Sequence, residues 1–446
     1  MAGLLTPTRG ELLLLEAGAK LPAETAAAQV RWTDWRLRVD PRAEWKQMFH
    51  DAWLMHRDYF YDSGMHGVDW AAIKRRYEPL VSRLTERDEL NDLLAQMVSE
   101  LGALHSQVRD ADLRNGGPPV GSASLGARLK KVTEGFSIEH IYQADPELPD
   151  RAGPLAAAGA KAGEIIVAVN GRPSAEVADL SELLRGQAGR QVLLSLKTTA
   201  GAERSLVALP VDAATEASMR TGDWEWALAQ KTLERSEGRI GYLRLRAMVG
   251  TDIATFAREF YSHLHRDGLI IDMRANDGGN IDSWVVAALQ RRAWAHWQQR
   301  SPETALPFSN QQGSFRGHLV VLTNESTYSD GETFSEAVRR LQLGTLIGTP
   351  TAGAGVWLTA SNRLLDNGIA RVAEFGLFVP GEGWLIEGRG VAPDIEVDNP
   401  PRATFEGGDA QLDAAINHLQ RLMASRPKPA VVPPPFMRPF AEPKRP

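Results

Sequence analysis

The 446-residue chain contains no cysteine, which excludes disulfides, thiolate metal sites and a cysteine nucleophile together. A basic excess is also missing. Fifty Lys and Arg face 56 Asp and Glu, for a net charge of -6, so the electrostatic footprint of a nucleic-acid binder is absent. No apolar run reaches membrane-spanning length. The first twenty residues, MAGLLTPTRGELLLLEAGAK, carry four consecutive leucines flanked by Glu11 and Glu16, unlike the basic start and longer apolar stretch of an export signal. These absences point to a soluble cytoplasmic protein without nucleic-acid or membrane partners. One absence is local: no lysine occurs from 232 to 427. A Ser and Lys dyad in that region would need a lysine from the amino-terminal half.

What is present suits a packed protein of two or three domains, with 43% hydrophobic and 24% charged residues. Residues 1–39 read as a strand-poor lead-in, the remnant of an upstream domain. From 40 to 120 the pattern is helical. Asp40 can cap and Pro41 suits a first helical position, while Trp45, Met48, Phe49, Ala52, Trp53, Tyr59 and Phe60 recur at near-helical spacing. A second helix is expected near Asp69. A third is expected from Thr85, where TERD reads as a capping box with Asp in the Glu position, and it should end at Gly102. His105 follows at once in ELGALHSQV.

Residues 121–211 change to short apolar strands with Gly and Asn turns. A buried strand over 165–169, a hairpin at Asn170 and Gly171, and a helix from about Ala175 are predicted. This arrangement resembles a PDZ domain, with SLGARL at 124–129 standing where that family's carboxylate-binding loop and peptide-binding strand begin. Such a domain binds an extended peptide at a sheet edge; a spacer without a ligand is the alternative. Residues 212–425 then alternate strand and helix: GRIGYLRL, GLIIDMR, HLVVLT and TLIGTP are short apolar strands of βα units. The whole is a multidomain α+β chain.

Two strand-to-helix loops of the last region stand out, because ligand sites gather at such ends. In DMRANDGGN, Gly278 and Gly279 permit a tight turn with exposed N–H groups. In NESTYSDGETFSEAVRRL, residues 324–341, three hydroxyls precede a helix. They could cap it, or one could be a nucleophile, and only Ser329 is followed by Asp330 and Gly331, which supply a following N–H and close approach. A nucleophilic serine needs a base, and the histidines do not declare one: His263 and His265 are too close for the two-histidine helical metal motif.

The segments VDPRAEWKQMFHDAW, MHGVDW, ELGALHSQV, GRIGYLRL, IIDMRANDGGN, NESTYSDGE, GTLIGT and EGRGVAPDIEV occur, around the PDZ-like stretch, in the order of the tricorn protease family. The chain resembles that family's catalytic part over about 38–424. The resemblance implies a helical domain over 40–120 carrying the catalytic histidine, a PDZ domain over 121–211, and a crotonase-like peptidase domain over 212–425. The β-propellers that precede this part in full-length members are missing, so the chain is a truncation or a short family form, with 1–39 as a propeller remnant. It implies Ser329 as nucleophile, His105 as general base and Glu387 as the acid that orients it. Asp330 and Gly278 would supply the oxyanion N–H groups. No metal or cofactor is implied. The expected partners are peptides, short ones released by larger proteases, and further copies of the same chain in a homo-oligomer.

Two departures qualify this reading. The family has serine just before the histidine, linking base to glutamate; here Leu104 stands there and cannot hydrogen-bond. Ser106 could substitute, or Glu387 could reach the ring directly or through water. Otherwise the chain is a catalytically impaired peptide-binding module of the same fold. The segment AWAHWQQRSPETALPF offers Glu303 as its one acidic side chain, which argues against basic specificity. After Arg426 eight prolines preclude a helix. That 426–446 tail is read as extended, either disordered or a proline-rich ligand.

Overall fold

The computed structural model describes residues 2–6, 11–15, 26–30, 38–109, 120–300, 307–311, 313–358 and 362–435. Strands β1 (Ala2–Thr6) and β2 (Glu11–Leu15) form an antiparallel hairpin. The strand-poor reading of the lead-in is thereby corrected, since all four leucines of the run pair across to β1.

Three helices follow: α1 (Pro41–Tyr59), α2 (Trp70–Val81) and α3 (Arg87–Ser99). Asp40 accepts from the N–H groups of Arg42 and Ala43, and Asp69 from Ala72, as their cap positions require. The start of α3 differs from expectation. Glu86, not Thr85, is the cap residue, and the box is closed by Glu89, whose carboxylate accepts from the N–H groups of both Thr85 and Glu86. The longer Glu side chain reaches back a full turn where Asp88 cannot. Trp45, Met48, Phe49 and Ala52 of α1 pack with Leu90, Leu94 and Met97 of α3 in one core, and Tyr59 stays exposed. Short strand β3 (Gln107–Arg109) leaves this layer directly after His105.

The next domain is an antiparallel sheet: β4 (Ala127–Val132), β5 (Gly135–Ile141), β6 (Ile165–Val169), β7 (Arg172–Pro173), β8 (Val192–Lys197) and β9 (Glu203–Ala208), with a single helical turn α4 (Pro154–Ala157). Asn170 and Gly171 both have positive φ, 48° and 77°, the geometry that an Asn-Gly hairpin turn demands. The helix expected from about Ala175 is instead two 3-10 turns, Ser174–Glu176 and Leu180–Glu182. Lys131 braces the first of these turns. Its ammonium takes the carbonyls of Ser174, Ala175 and Val177, and Val177 between the turns is extended.

Helix α5 (Ala213–Arg235) leads into β10 (Ile240–Arg244), α6 (Gly250–Ser262), β11 (Gly268–Asp272), α7 (Asp282–Leu289), β12 (His296–Trp297), β13 (Phe308–Ser309), β14 (His318–Thr323), α8 (Asp330–Arg340) and β15 (Thr345–Gly348). Small antiparallel pieces follow, β16 (Val356–Leu358), β17 (Ile369–Arg371), β18 (Ala373–Gly376), β19 (Phe378–Val379) and β20 (Gly383–Trp384). Strand β21 (Ile395–Glu396), α9 (Pro401–Phe405) and α10 (Ala410–Ser425) close the order. The main sheet is all-parallel in the order β10-β11-β14-β15-β21. Both of its faces are covered, which is why its strands read as continuous apolar runs. Leu269, Ile271, Leu319 and Val321 face α6, α7 and α8; Ile270, Val320 and Leu322 face α5 and α10. Asp409 caps α10 through the N–H of Leu412. Past α10, Lys428 pairs with Asp267 at 3.1 Å and Arg316 donates to the carbonyl of Pro429, so the first residues of the proline-rich tail lie against the main domain. Residues 436–446 of that tail are outside the described residues.

One packing feature matters most for the site. The helical core is completed by Val356, Leu364, Ala370, Val372 and Ala373 from near the carboxyl end, and β3 pairs with β17. The segment carrying His105 is thereby fastened to the domain carrying Ser329.

Burial also makes the fold acid-sensitive. His56 is fully buried, and desolvation holds its imidazole down at about 4. Its folded value lies below the unfolded 6.5, so between these values the unfolded chain binds more protons. Stability is therefore complete above about pH 6.5 and falls as the pH drops toward 4, where the loss levels off. Urea unfolding at pH 7 and pH 4 should show a loss from this residue of roughly 3 kcal/mol, absent in a folded His56→Phe variant.

Candidate active site

Ser329 stands between the end of β14 and the start of α8, with φ 56° and ψ -118°. A serine with positive φ occupies a sparsely populated region, and the surrounding bonds hold it there. Its N–H donates to Glu332 Oε2 at 2.9 Å. Glu332, fully buried, also accepts from the hydroxyl of Thr351 and the N–H groups of Gly353 and Ala354. The carboxylate thus pins the Ser329 turn to the loop after β15. Of the other hydroxyls, Thr327 is structural, donating to the carbonyl of Met273, and Ser326 is exposed.

His105 arrives from the helical layer, and its Nε2 lies 2.8 Å from Ser329 Oγ. The imidazole is 4% exposed and packs on the ring of Tyr328 at 4.8 Å. Tyr328 in turn donates its hydroxyl to the carbonyl of Leu104. Burial holds the His105 imidazole down at about 4, and the Arg371 guanidinium pushes it the same way. The ring is therefore neutral at neutral pH and able to take a proton from the serine hydroxyl. Its second nitrogen, Nδ1, has no hydrogen-bond partner among the described residues.

Glu387 reaches the histidine segment without touching the ring. Its Oε1 accepts the N–H of Leu104 at 3.2 Å, and its Oε2 accepts those of Gly355 and Val356 at 2.7 and 3.0 Å. Burial raises its carboxyl, and the three N–H groups oppose the rise. Among the described residues the Ser106 hydroxyl is buried without a hydrogen-bond partner, and no direct bond joins Glu387 to the His105 ring. Leu104 itself is 50% exposed.

The glycine loop abuts the serine so closely that a Cβ on Gly278, at φ 77°, would stand 2.5 Å from Ser329 Cβ. Only glycine is tolerated there. The N–H of Gly278, however, donates to Asn276 Oδ1 at 2.9 Å, so a role in binding an oxyanion requires that bond to be exchanged. Asn276 is fully buried and donates to the carbonyl of Leu245. Asp330 opens α8, and the first N–H groups of a helix have no intrahelical acceptor. Glu332 and Asn276 escaped the sequence reading. For Glu332 a signal existed, since Ser329-Asp-Gly-Glu332 fits the capping-box pattern; Asn276 carries none. Glu303 lies outside the described residues.

Family models match as the Tricorn protease C1 domain at 41–99, the Tricorn protease PDZ domain at 123–213 and Peptidase family S41 at 239–397. Tricorn protease homolog 1 of Streptomyces coelicolor is 34% identical over 90% of this chain and 37% of its own length. Tricorn protease of Thermoplasma acidophilum is 27% identical over 84% of this chain and 35% of its own. A crystal structure of the tricorn protease superposes with a TM-score of 0.85 at 25% identity, covering 93% of this chain and 40% of that one. The chain thus spans little more than a third of the length of these relatives. With the helical layer, the PDZ sheet and the S41 domain in this order, it belongs to the tricorn protease family.

Proposed function

We propose that this chain is a serine peptidase that hydrolyses short peptides through an acyl-enzyme. The observation that carries the reading is the 2.8 Å contact between His105 Nε2 and Ser329 Oγ, made across two layers of the molecule. In the first step Oγ bonds to the scissile carbonyl carbon while its proton passes to Nε2, and the carbonyl oxygen becomes an oxyanion. The N–H of Asp330 and one from the glycine loop, Gly278 once released by Asn276, receive that charge. The carbon–nitrogen bond then breaks, and the leaving amine takes the proton from Nε2. Water repeats the sequence on the ester. Glu387 acts on the base through the backbone, holding the N–H of Leu104 and so the segment that presents His105.

A second reading, a peptide-binding module with little turnover, is favoured by one observation: Nδ1 of His105 has no acceptor among the described residues. For Nε2 to accept from the serine the ring proton must sit on Nδ1, where it is a buried donor without a partner. Such a donor costs about 1–3 kcal/mol, which favours the unproductive tautomer. The Leu104→Ser variant restores a hydroxyl beside the ring, and Leu104 is half exposed, so its removal leaves the core intact.

A serine-reactive phosphonate should label Ser329 and leave Ser329→Ala untouched, and the same substitution should abolish cleavage of a fluorogenic peptide panel. An unlabelled, folded protein would sink the peptidase reading. Because the base works neutral, the acidic limb of kcat/KM should lie at about pH 4, the value set by burial; an acidic limb at the ordinary histidine value would count against His105. Leu104→Ser should raise kcat by about 10- to 100-fold, and an unchanged kcat would remove the tautomer argument.

A further inference from the structure

The mechanism above uses only the backbone of Asp330, yet its side chain is fully buried and engaged. It reaches across to the start of α7, where Oδ2 accepts the N–H groups of Ile281 and Asp282 at 2.7 and 3.0 Å. Oδ1 is buried without a hydrogen-bond partner among the described residues, and the partly buried Asp282 carboxyl acts on the Asp330 carboxyl electrostatically. A buried carboxyl beside a second acidic group is held toward its protonated form. The helices α7 and α8 meet start to start across the Asp330 carboxyl.

The glycine loop lies inside this junction. On one side Met248 donates to the carbonyl of Gly278 and accepts from Asn280, each at 2.8 Å. At its far end the loop runs into Ile281 and Asp282, the two amides that Asp330 holds. We propose that the Asp330 carboxyl is a positioning residue of the peptidase reaction, tying the glycine loop to the nucleophile turn so that the oxyanion donors on the two segments keep one spacing. This rests on the serine-peptidase reading.

The charges around the pair are few. Asp282 faces it from α7; Glu332 on α8 is turned to Thr351, Gly353 and Ala354; Asp277 on the loop is exposed; His105 is neutral. No Lys or Arg forms an ion pair with either aspartate among the described residues. Burial and Asp282 together push the Asp330 carboxyl up to about 7. As the pH rises through that value the Asp330 proton leaves, and a buried negative charge appears in the junction.

The test combines hydrogen exchange over residues 277–282 with steady-state kinetics on a fluorogenic peptide, using the full chain. In Asp330→Ala the amides of Ile281 and Asp282 should exchange at least about tenfold faster. Its kcat should fall by about 10²-fold while KM stays within about threefold. Asp330→Asn keeps an acceptor for the amides and a permanent donor toward Asp282. It should recover most of the lost kcat and remove the decline above pH 7 expected of the unsubstituted chain. Where the alanine variant does not fold, the asparagine variant and the pH dependence of exchange in the unsubstituted chain decide. Unchanged exchange in a folded Asp330→Ala, or an Asp330→Asn as impaired as Asp330→Ala, overturns the inference. The peptidase reading fails separately, on an unlabelled Ser329, and exchange still decides the role of Asp330 in that event.

Discussion

A backbone N–H taken out of water must find an acceptor, and around Ser329 that duty falls on three carboxylates. Asp330 takes the amides at the start of α7. Glu332 takes those of Ser329, Gly353 and Ala354. Glu387 takes those of Leu104, Gly355 and Val356. Each links segments that are distant in sequence and have no strand ladder between them at this point. Charge-assisted bonds of this kind are the stronger class, and they supply the rigidity that loops alone lack. The unusual backbone of Ser329 persists because its N–H and the first turn of α8 are fixed by Glu332.

The sheet decides where these loops converge. In a parallel arrangement all carboxyl ends of the strands point the same way, so the turns after β11 and β14 emerge side by side and bring Gly278 against Ser329. The helical layer then covers this edge and contributes His105. Its core is shared with residues 356–373, so covering the site and completing the layer are one packing event.

Much of this was legible in the chain before any coordinates. The parallel strands read as apolar runs because both faces are buried, and the resemblance to the tricorn protease family, not any local pattern, is what joins Ser329, His105 and Glu387 in one expected site. What stayed hidden depends on side chains meeting backbone across large sequence separations. Nothing local in the sequence says that Asn276 occupies the N–H of Gly278, that Glu387 holds Leu104 rather than the imidazole, or that Lys131 takes the carbonyls of Ser174, Ala175 and Val177. The start of α3 was misassigned for a smaller reason: two acidic residues, Asp88 and Glu89, compete for one role, and side-chain length settles it.

The late position of Glu387 has a consequence for a chain made from its amino end. By the time Ser329 has been synthesised, His105 has long been available, but the strands that finish the helical core and the carboxylate that anchors Leu104 have not yet appeared. Domains fold as they emerge, so the sheet can begin to form while the imidazole still lacks its mooring. The segment that presents His105 is thus moored only after residue 387 and the strands before it have been made, later than the sheet that carries Ser329 can begin to form.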